Sequence, residues 1–227
     1  MNHNKSTVLF EKIKKIATFF IYTLQPDGTF PTIGDSEMLK PIIENTDWKL
    51  LPETLYNTIF SLINKSENSI DLPLDSIYPE GDYAFFRSDW SNNVDTKQIV
   101  FYSAFHSRVH KHHDDLSFTL YAHGMPLLID AGKYSYEYNK DERKYVTSAF
   151  GHNTVRINDT ETDIKRLNIG KSGILSSLIT RNICYVSGFQ ALCEGVVHRR
   201  ILLYLKPNEI IVLDLIKGGN ETKAEFI

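Results

Sequence analysis

Five of the eight histidines, His106, His110, His112, His113 and His123, fall within 18 residues, and His152 follows shortly after. For any one of them, a solvated ring on a polar loop is the plain reading. The set His112, Asp130 and His152 says more. His112 precedes one strand of an expected hairpin and Asp130 closes the other, in the run Pro126-Leu-Leu-Ile-Asp130-Ala-Gly132. An antiparallel hairpin returns Asp130 towards the end of the sheet where His112 lies. An aspartate closing an apolar strand needs a partner, because burying an unpaired carboxylate is expensive. Two imidazoles and a carboxylate suit a four-coordinate zinc with one open position. The plain alternative makes Asp130 a turn or cap residue and His152 an ordinary loop histidine, and His113 and His106 are the substitutes if one ligand is wrong. Hydrolysis by zinc-bound water is the weaker chemistry, since no Glu stands in an HExxH-like relation to the histidines.

The elements that must position these residues change character near residue 75. Over residues 6–24 apolar side chains recur at helical spacing (Leu9, Phe10, Ile13, Ile16, Ala17, Phe20, Ile21, Leu24), with Ser6 as the N-cap. Gln25-Pro26-Asp27-Gly28 reads as a turn, and two short helices are expected around 40–45 and 52–64. From residue 78 the pattern is that of strands: 83–87, 98–104, 116–122, 126–130, 153–157, 183–188, 195–204 and 210–215 are rich in β-branched or aromatic residues between polar or glycine-bearing turns. Leu116, Phe118 and Leu120 alternate with Ser117, Thr119 and Tyr121, and His123-Gly124 marks a hairpin turn. Short strands with no long helix between them predict a mainly β fold, an antiparallel β-sandwich preceded by a short helical segment, with domains at 1–76 and 77–227.

Composition narrows the classes further. The chain has 227 residues, 42% of them hydrophobic and 23% charged, which describes an ordinary globular protein with a sizeable core. A balance of 25 basic against 28 acidic residues gives a net charge of -3 and no electrostatic case for nucleic acid. Cys184 and Cys193 lack the spacing of a thiolate metal site and are expected as two buried thiols rather than a bridge. No apolar run reaches the roughly 18 residues of a membrane span. Glu11, Lys12, Lys14 and Lys15 interrupt the stretch where a signal peptide would be apolar.

Three motifs in order, His110-Lys-His112-His-Asp114-Asp-Leu116-Ser-Phe118, then Leu127-Leu-Ile-Asp130-Ala-Gly132-Lys-Tyr134-Ser-Tyr136, then His152-Asn153-Thr154-Val155, resemble the C-terminal sheet domain of the heparinase II/III-like polysaccharide lyases. Upstream, Pro26-Asp27-Gly28-Thr29-Phe-Pro31-Thr-Ile-Gly34-Asp35-Ser36 resembles the end of that family's α/α toroid, and Gly81-Asp-Tyr83-Ala-Phe-Phe-Arg87-Ser-Asp-Trp90 resembles the first sandwich strands.

The resemblance implies β-elimination on uronic-acid polysaccharides. The proton beside the sugar carboxylate is only weakly acidic, so a base, an acid for the leaving oxygen and a group that neutralises the carboxylate must act together. On the family motif His110 is the catalytic histidine, and His112, Asp130 and His152 are the ligands of a structural zinc. The resemblance places the family's catalytic tyrosine and its carboxylate neutraliser on the toroid, of which only a remnant is expected here. Tyr136 is then the best candidate for a tyrosine supplied by the sandwich, and Arg143 and Tyr138 are candidates for binding the acidic sugar. The partners implied are an acidic polysaccharide and either a missing toroid segment or a second copy of the chain. A bacterial envelope or periplasmic location is implied by resemblance, and a cytoplasmic one is compatible with the missing export signal. The competing class is a non-catalytic, metal-stabilised sandwich that binds acidic glycan or a partner subunit.

Overall fold

The structure is a computed structural model that describes residues 3–41, 51–66 and 70–227. Helix α1 spans His3–Thr23 and α2 spans Glu53–Asn64. The strands that follow are β1 (Ser76–Tyr78), β2 (Tyr83–Arg87), β3 (Gln98–Tyr102), β4 (Ser117–Ala122), β5 (Met125–Leu128), β6 (Val155–Ile157), β7 (Ser172–Ile179), β8 (Ile183–Cys193), β9 (Val196–Leu205), β10 (Glu209–Lys217) and β11 (Ala224–Phe226). A short helix, α3 (Asp141–Thr147), lies between β5 and β6.

All pairings are antiparallel. One sheet has the order β1-β2-β3-β4-β5, a second has β10-β9-β8-β7, and β11 pairs with β6. The two larger sheets enclose a core of Ala84, Phe86, Ile99, Phe101 and Phe118 against Cys184, Val186, Leu202 and Tyr204. Each fully buried large side chain of this kind contributes about 1.5–3 kcal/mol. The other face of the first sheet carries α1, through Phe19 and Tyr22 packed on Phe85, Val100 and Tyr102. Gln98 Nε2 donates to the carbonyls of Tyr22 and Leu24 at 2.7 and 2.8 Å, and Arg87 Nη2 donates to Leu24 at 2.5 Å. These bonds satisfy carbonyls at the end of α1 that the helix itself leaves unpaired.

The mainly β, antiparallel architecture is therefore as the sequence pattern predicts, with several local differences. Helix α1 begins before Ser6, which lies inside it rather than capping it. Its predicted apolar stripe is only half used: Ala17, Ile21 and Leu24 are buried, while Leu9, Phe10 and Ile16 are exposed. The short helix expected around 40–45 falls almost wholly on residues outside those described. Strands β1, β7 and β11 and helix α3 escape the sequence pattern; β7 is serine-rich and α3 is too short to show a period. The second face of β4, with Ser117, Thr119 and Tyr121, is buried as well, and Ser117 Oγ accepts the Asn153 amide at 3.1 Å. His123 and Gly124 both have positive φ (53° and 76°), as a two-residue hairpin turn requires. Both cysteines are free, Cys184 buried and Cys193 partly so. No helix among the described residues is long and apolar enough to cross a membrane.

Candidate functional site

The loop joining β3 to β4 passes from exposed side chains at residues 106–110 to inward-facing ones at Lys111 and His112. His110 has a left-handed backbone (φ 59°), which histidine tolerates better than most residues, and its side chain is 58% exposed. Lys111 points inward, 2.9 Å from Asp115 and in contact with Asp114. Burial favours its neutral amine, but the two carboxylates outweigh burial and raise its pKa. That buried charge pair pins the loop between its two histidines. His112 is completely buried.

Asp130 lies two residues past β5, at the end of the sheet where the hairpin returns it. Its Oδ1 accepts the Gly132 amide at 2.9 Å and its Oδ2 accepts the Tyr102 hydroxyl at 2.6 Å. Gly132 has φ 68°, and a Cβ there would sit 2.9 Å from the Ser36 carbonyl, so glycine is what this close approach permits. His152 follows the 3-10 turn Ala149–Gly151, whose Gly151 carbonyl accepts the Ala131 amide at 2.9 Å. The next residue, Asn153, ties the segment down by donating to the carbonyls of Phe118 and Ile129, both at 2.9 Å.

These constraints bring His112, Asp130 and His152 together with all three buried and with possible ligand atoms within 4.8 Å of one another. Two bonds near 2.2 Å allow ligand atoms at most roughly 4.4 Å apart, so a small inward movement suffices. The nitrogens themselves argue for a cation. His112 Nδ1 and both ring nitrogens of His152 are buried without a hydrogen bond among the described residues. His152 Nδ1 lies 3.0 Å from Asp130 Oδ2, an oxygen already occupied by Tyr102, yet makes no hydrogen bond to it. Leaving buried polar atoms unpaired costs about 1–3 kcal/mol each. Burial lowers the His152 pKa, but Asp130 and Asp114 outweigh it and raise the pKa overall. The donor set fits a metal ion.

Asp35, which no sequence reading singled out, stands beside this group. Its Oδ2 is 2.6 Å from His110 Nδ1, and its Oδ1 is 2.9 Å from His112 Nε2 and 2.7 Å from Arg143 Nη1. Burial raises its pKa, but hydrogen bonds from Arg143, His110 and His112 more than offset that and hold the carboxyl at about 2. The turn bearing it is clamped to the Asp130 segment: Thr32 donates to the Asp130 carbonyl, and the Lys133 amide donates to Ser36 at 3.2 Å. Asp35 lies inside the upstream stretch that carried the family resemblance, and that was its one signal.

Of the remaining candidates, Tyr136 has its ring centre 6.2 Å from that of His110 and is half exposed. Arg143, on α3, is buried; it donates to the Lys133 carbonyl at 2.8 Å, and its guanidinium lies 5.6 Å from the ring centre of Tyr136 and 5.5 Å from that of Tyr138. Tyr138 is exposed. The substitutes lie elsewhere: His106 pairs with Asp82 at 3.0 Å, and His113 Nδ1 contacts Thr162 Oγ1 at 2.8 Å.

The chain resembles solved structures of lyases. A heparinase III gene product superposes with a TM-score of 0.79 at 20% identity, covering 92% of this chain and 33% of its own. The heparan sulfate lyase HepC from Pedobacter heparinus gives 0.76 at 17% identity, covering 88% and 31%. A further heparinase III gives 0.71 at 18%, covering 92% and 34%. At these identities the likeness establishes the fold, and the chain spans about a third of each of these proteins. No curated protein matches it. The family model described as heparinase II/III-like, C-terminal, matches residues 73–226, which holds the sandwich and every candidate residue except Asp35, and so the chain belongs to the heparinase II/III-like family.

Proposed function

We propose that this chain carries the sheet-domain half of a polysaccharide lyase site acting on uronic-acid polysaccharides by β-elimination. The observation that carries the reading is that exposed His110 lies with its ring centre 6.2 Å from that of Tyr136 and is bridged through Asp35 to His112 of the buried His112, Asp130 and His152 group.

In this reading His110 takes the proton from C5 of the uronic acid. The C5–H electron pair becomes the C4–C5 double bond, the C4–O4 bond breaks, and the Tyr136 hydroxyl delivers a proton to the departing oxygen. Tyr138 offers an exposed ring to the sugar, and Arg143, paired with Asp35, lies 5.6 and 5.5 Å from the ring centres of Tyr136 and Tyr138 and holds that side of the site in place. His112, Asp130 and His152 would hold zinc, whose chemistry here is to neutralise buried donors and fix the loop that presents His110. The group that neutralises the substrate carboxylate is proposed to come from a helical toroid domain facing the sandwich.

The test follows absorbance of the unsaturated uronyl product on heparan sulfate, chondroitin and alginate, with the chain alone and with a toroid segment supplied in trans. Product that requires His110, absent in His110→Ala, is the expected result. Misplacement of such groups by about 1 Å costs on the order of a hundredfold, so turnover should rise sharply on addition of the toroid. Glycan binding with no product under either condition would instead establish the non-catalytic, metal-stabilised sandwich.

A further inference from the structure

We infer that Asp35 is a positioning residue that sets the tautomers of His110 and His112 together, and so couples the metal site to the reacting histidine. The inference deepens the proposed function and rests on it for the role of His110, but its test does not depend on turnover.

The argument starts from valence. An aspartate is ionised at neutral pH, the more so with the Arg143 guanidinium 2.7 Å from its Oδ1, and a carboxylate only accepts hydrogen bonds. Each ring nitrogen facing it must therefore carry the proton. His112 is then the Nε2–H tautomer, with its lone pair on Nδ1, the buried nitrogen left without a hydrogen-bond partner among the described residues. His110 is the Nδ1–H tautomer, with its lone pair on Nε2, the nitrogen turned away from Asp35. One carboxylate thus aims one imidazole at the metal group and another at the substrate. Its own freedom is small: its side chain is 6% exposed, Arg143 holds Oδ1, and the turn from Thr32 to Ser36 is hydrogen-bonded to the Asp130–Lys133 segment. A ligating histidine usually donates its other N–H to such a partner, and removing one costs 10–100-fold in metal affinity. What is specific here is that the partner is shared with a second histidine.

The experiment is 15N NMR of the histidine-labelled chain at a pH where both rings are neutral, together with Zn2+ titration of wild type and Asp35→Asn. The expected result is an Nε2–H tautomer for His112 and an Nδ1–H tautomer for His110 in wild type. In Asp35→Asn, Zn2+ should bind roughly 10–100-fold more weakly, with the His110 nitrogens moving towards the averaged shifts of a free imidazole. A wild-type His112 protonated at Nδ1, or an Asp35→Asn variant with unchanged Zn2+ affinity and unchanged His110 shifts, would overturn the inference. Should Asp35→Asn not fold, the wild-type tautomers decide alone. A wild type that shows both expected tautomers but binds no Zn2+ would retain the positioning role towards His110 and overturn the coupling to a metal; absence of lyase product would count against the proposed function only.

Discussion

Tyr102 donates its hydroxyl hydrogen to Asp130 Oδ2 at 2.6 Å, across 28 residues of sequence and from the last residue of a strand buried along its whole length. The carboxylate in contact raises the Tyr102 pKa well above its ordinary value, as does burial, which is the larger cause. The phenol therefore remains a donor throughout the working pH range. It orients the Asp130 carboxylate while the Gly132 amide holds the other oxygen.

Removing that donor should separate metal affinity from folding. Tyr102→Phe keeps the packing against Phe85 and Val100 and is expected to lose about 0.5–1.5 kcal/mol of stability. Zn2+ affinity should fall roughly 10-fold or more. Calorimetric titration alongside urea unfolding checks both, and equal Zn2+ affinity in the two proteins would deny Tyr102 its orienting role.

Metal addition and removal give a second prediction. At a free Zn2+ concentration of about 100 times Kd the folded state gains about 2.7 kcal/mol, a Tm rise of roughly 5–10 °C for a chain of this size. A chelator should reverse it. His152→Ala, which removes one residue of the buried group that could hold the ion, should show neither response by differential scanning calorimetry.

Gly132→Ala tests the clamp between the upstream turn and the Asp130 segment. The added Cβ would meet the Ser36 carbonyl at 2.9 Å and Thr32 Cβ at 3.1 Å, at a φ of 68°. The expected cost is on the order of 1–3 kcal/mol. Thermal unfolding should report that loss, together with weaker Zn2+ binding as Asp130 and Asp35 shift. A fully wild-type melting curve would mean that the clamp is loose.

A buried charge cluster behind the site makes stability depend on pH. Asp214 contacts His198 at 2.5 Å and Arg200 at 2.8 Å, and Arg200 continues to the carbonyls of Leu116 and Asn153. Burial raises the Asp214 pKa, but the hydrogen bonds from His198 and Arg200 outweigh it and lower the pKa overall. A depressed carboxyl pKa adds stability that is complete above the unfolded value of about 3.9 and is lost as pH falls through the folded one. Asp214→Asn should therefore be less stable than wild type at pH 7, with the gap closing as pH falls below about 4. Denaturant unfolding across pH 3–7 checks the trend, and a constant gap would contradict it.

The sequence by itself determined the class of fold and the buried group of His112, Asp130 and His152. The alternation of apolar and polar residues in β4, and of more and less buried ones in β9 and β10, is imposed by the two-residue period of a strand, so it is written locally. The hairpin around His123-Gly124 then brings Asp130 back towards His112 without information from elsewhere. The burial of the outer face of β4 was not legible in Ser117, Thr119 and Tyr121, because polar residues on a strand read as solvated until another segment is known to lie over them. Asp35 and Tyr102 were equally invisible as site residues. Asp35 is 75 and 77 residues from the histidines it holds, in an irregular turn with no period to betray its direction. Tyr102 reads as one more strand aromatic. A hydrogen-bond partner across loops is chosen by which backbone segments dock on one another, and here the contact of Thr32 and Ser36 with Asp130 and Lys133 made that choice.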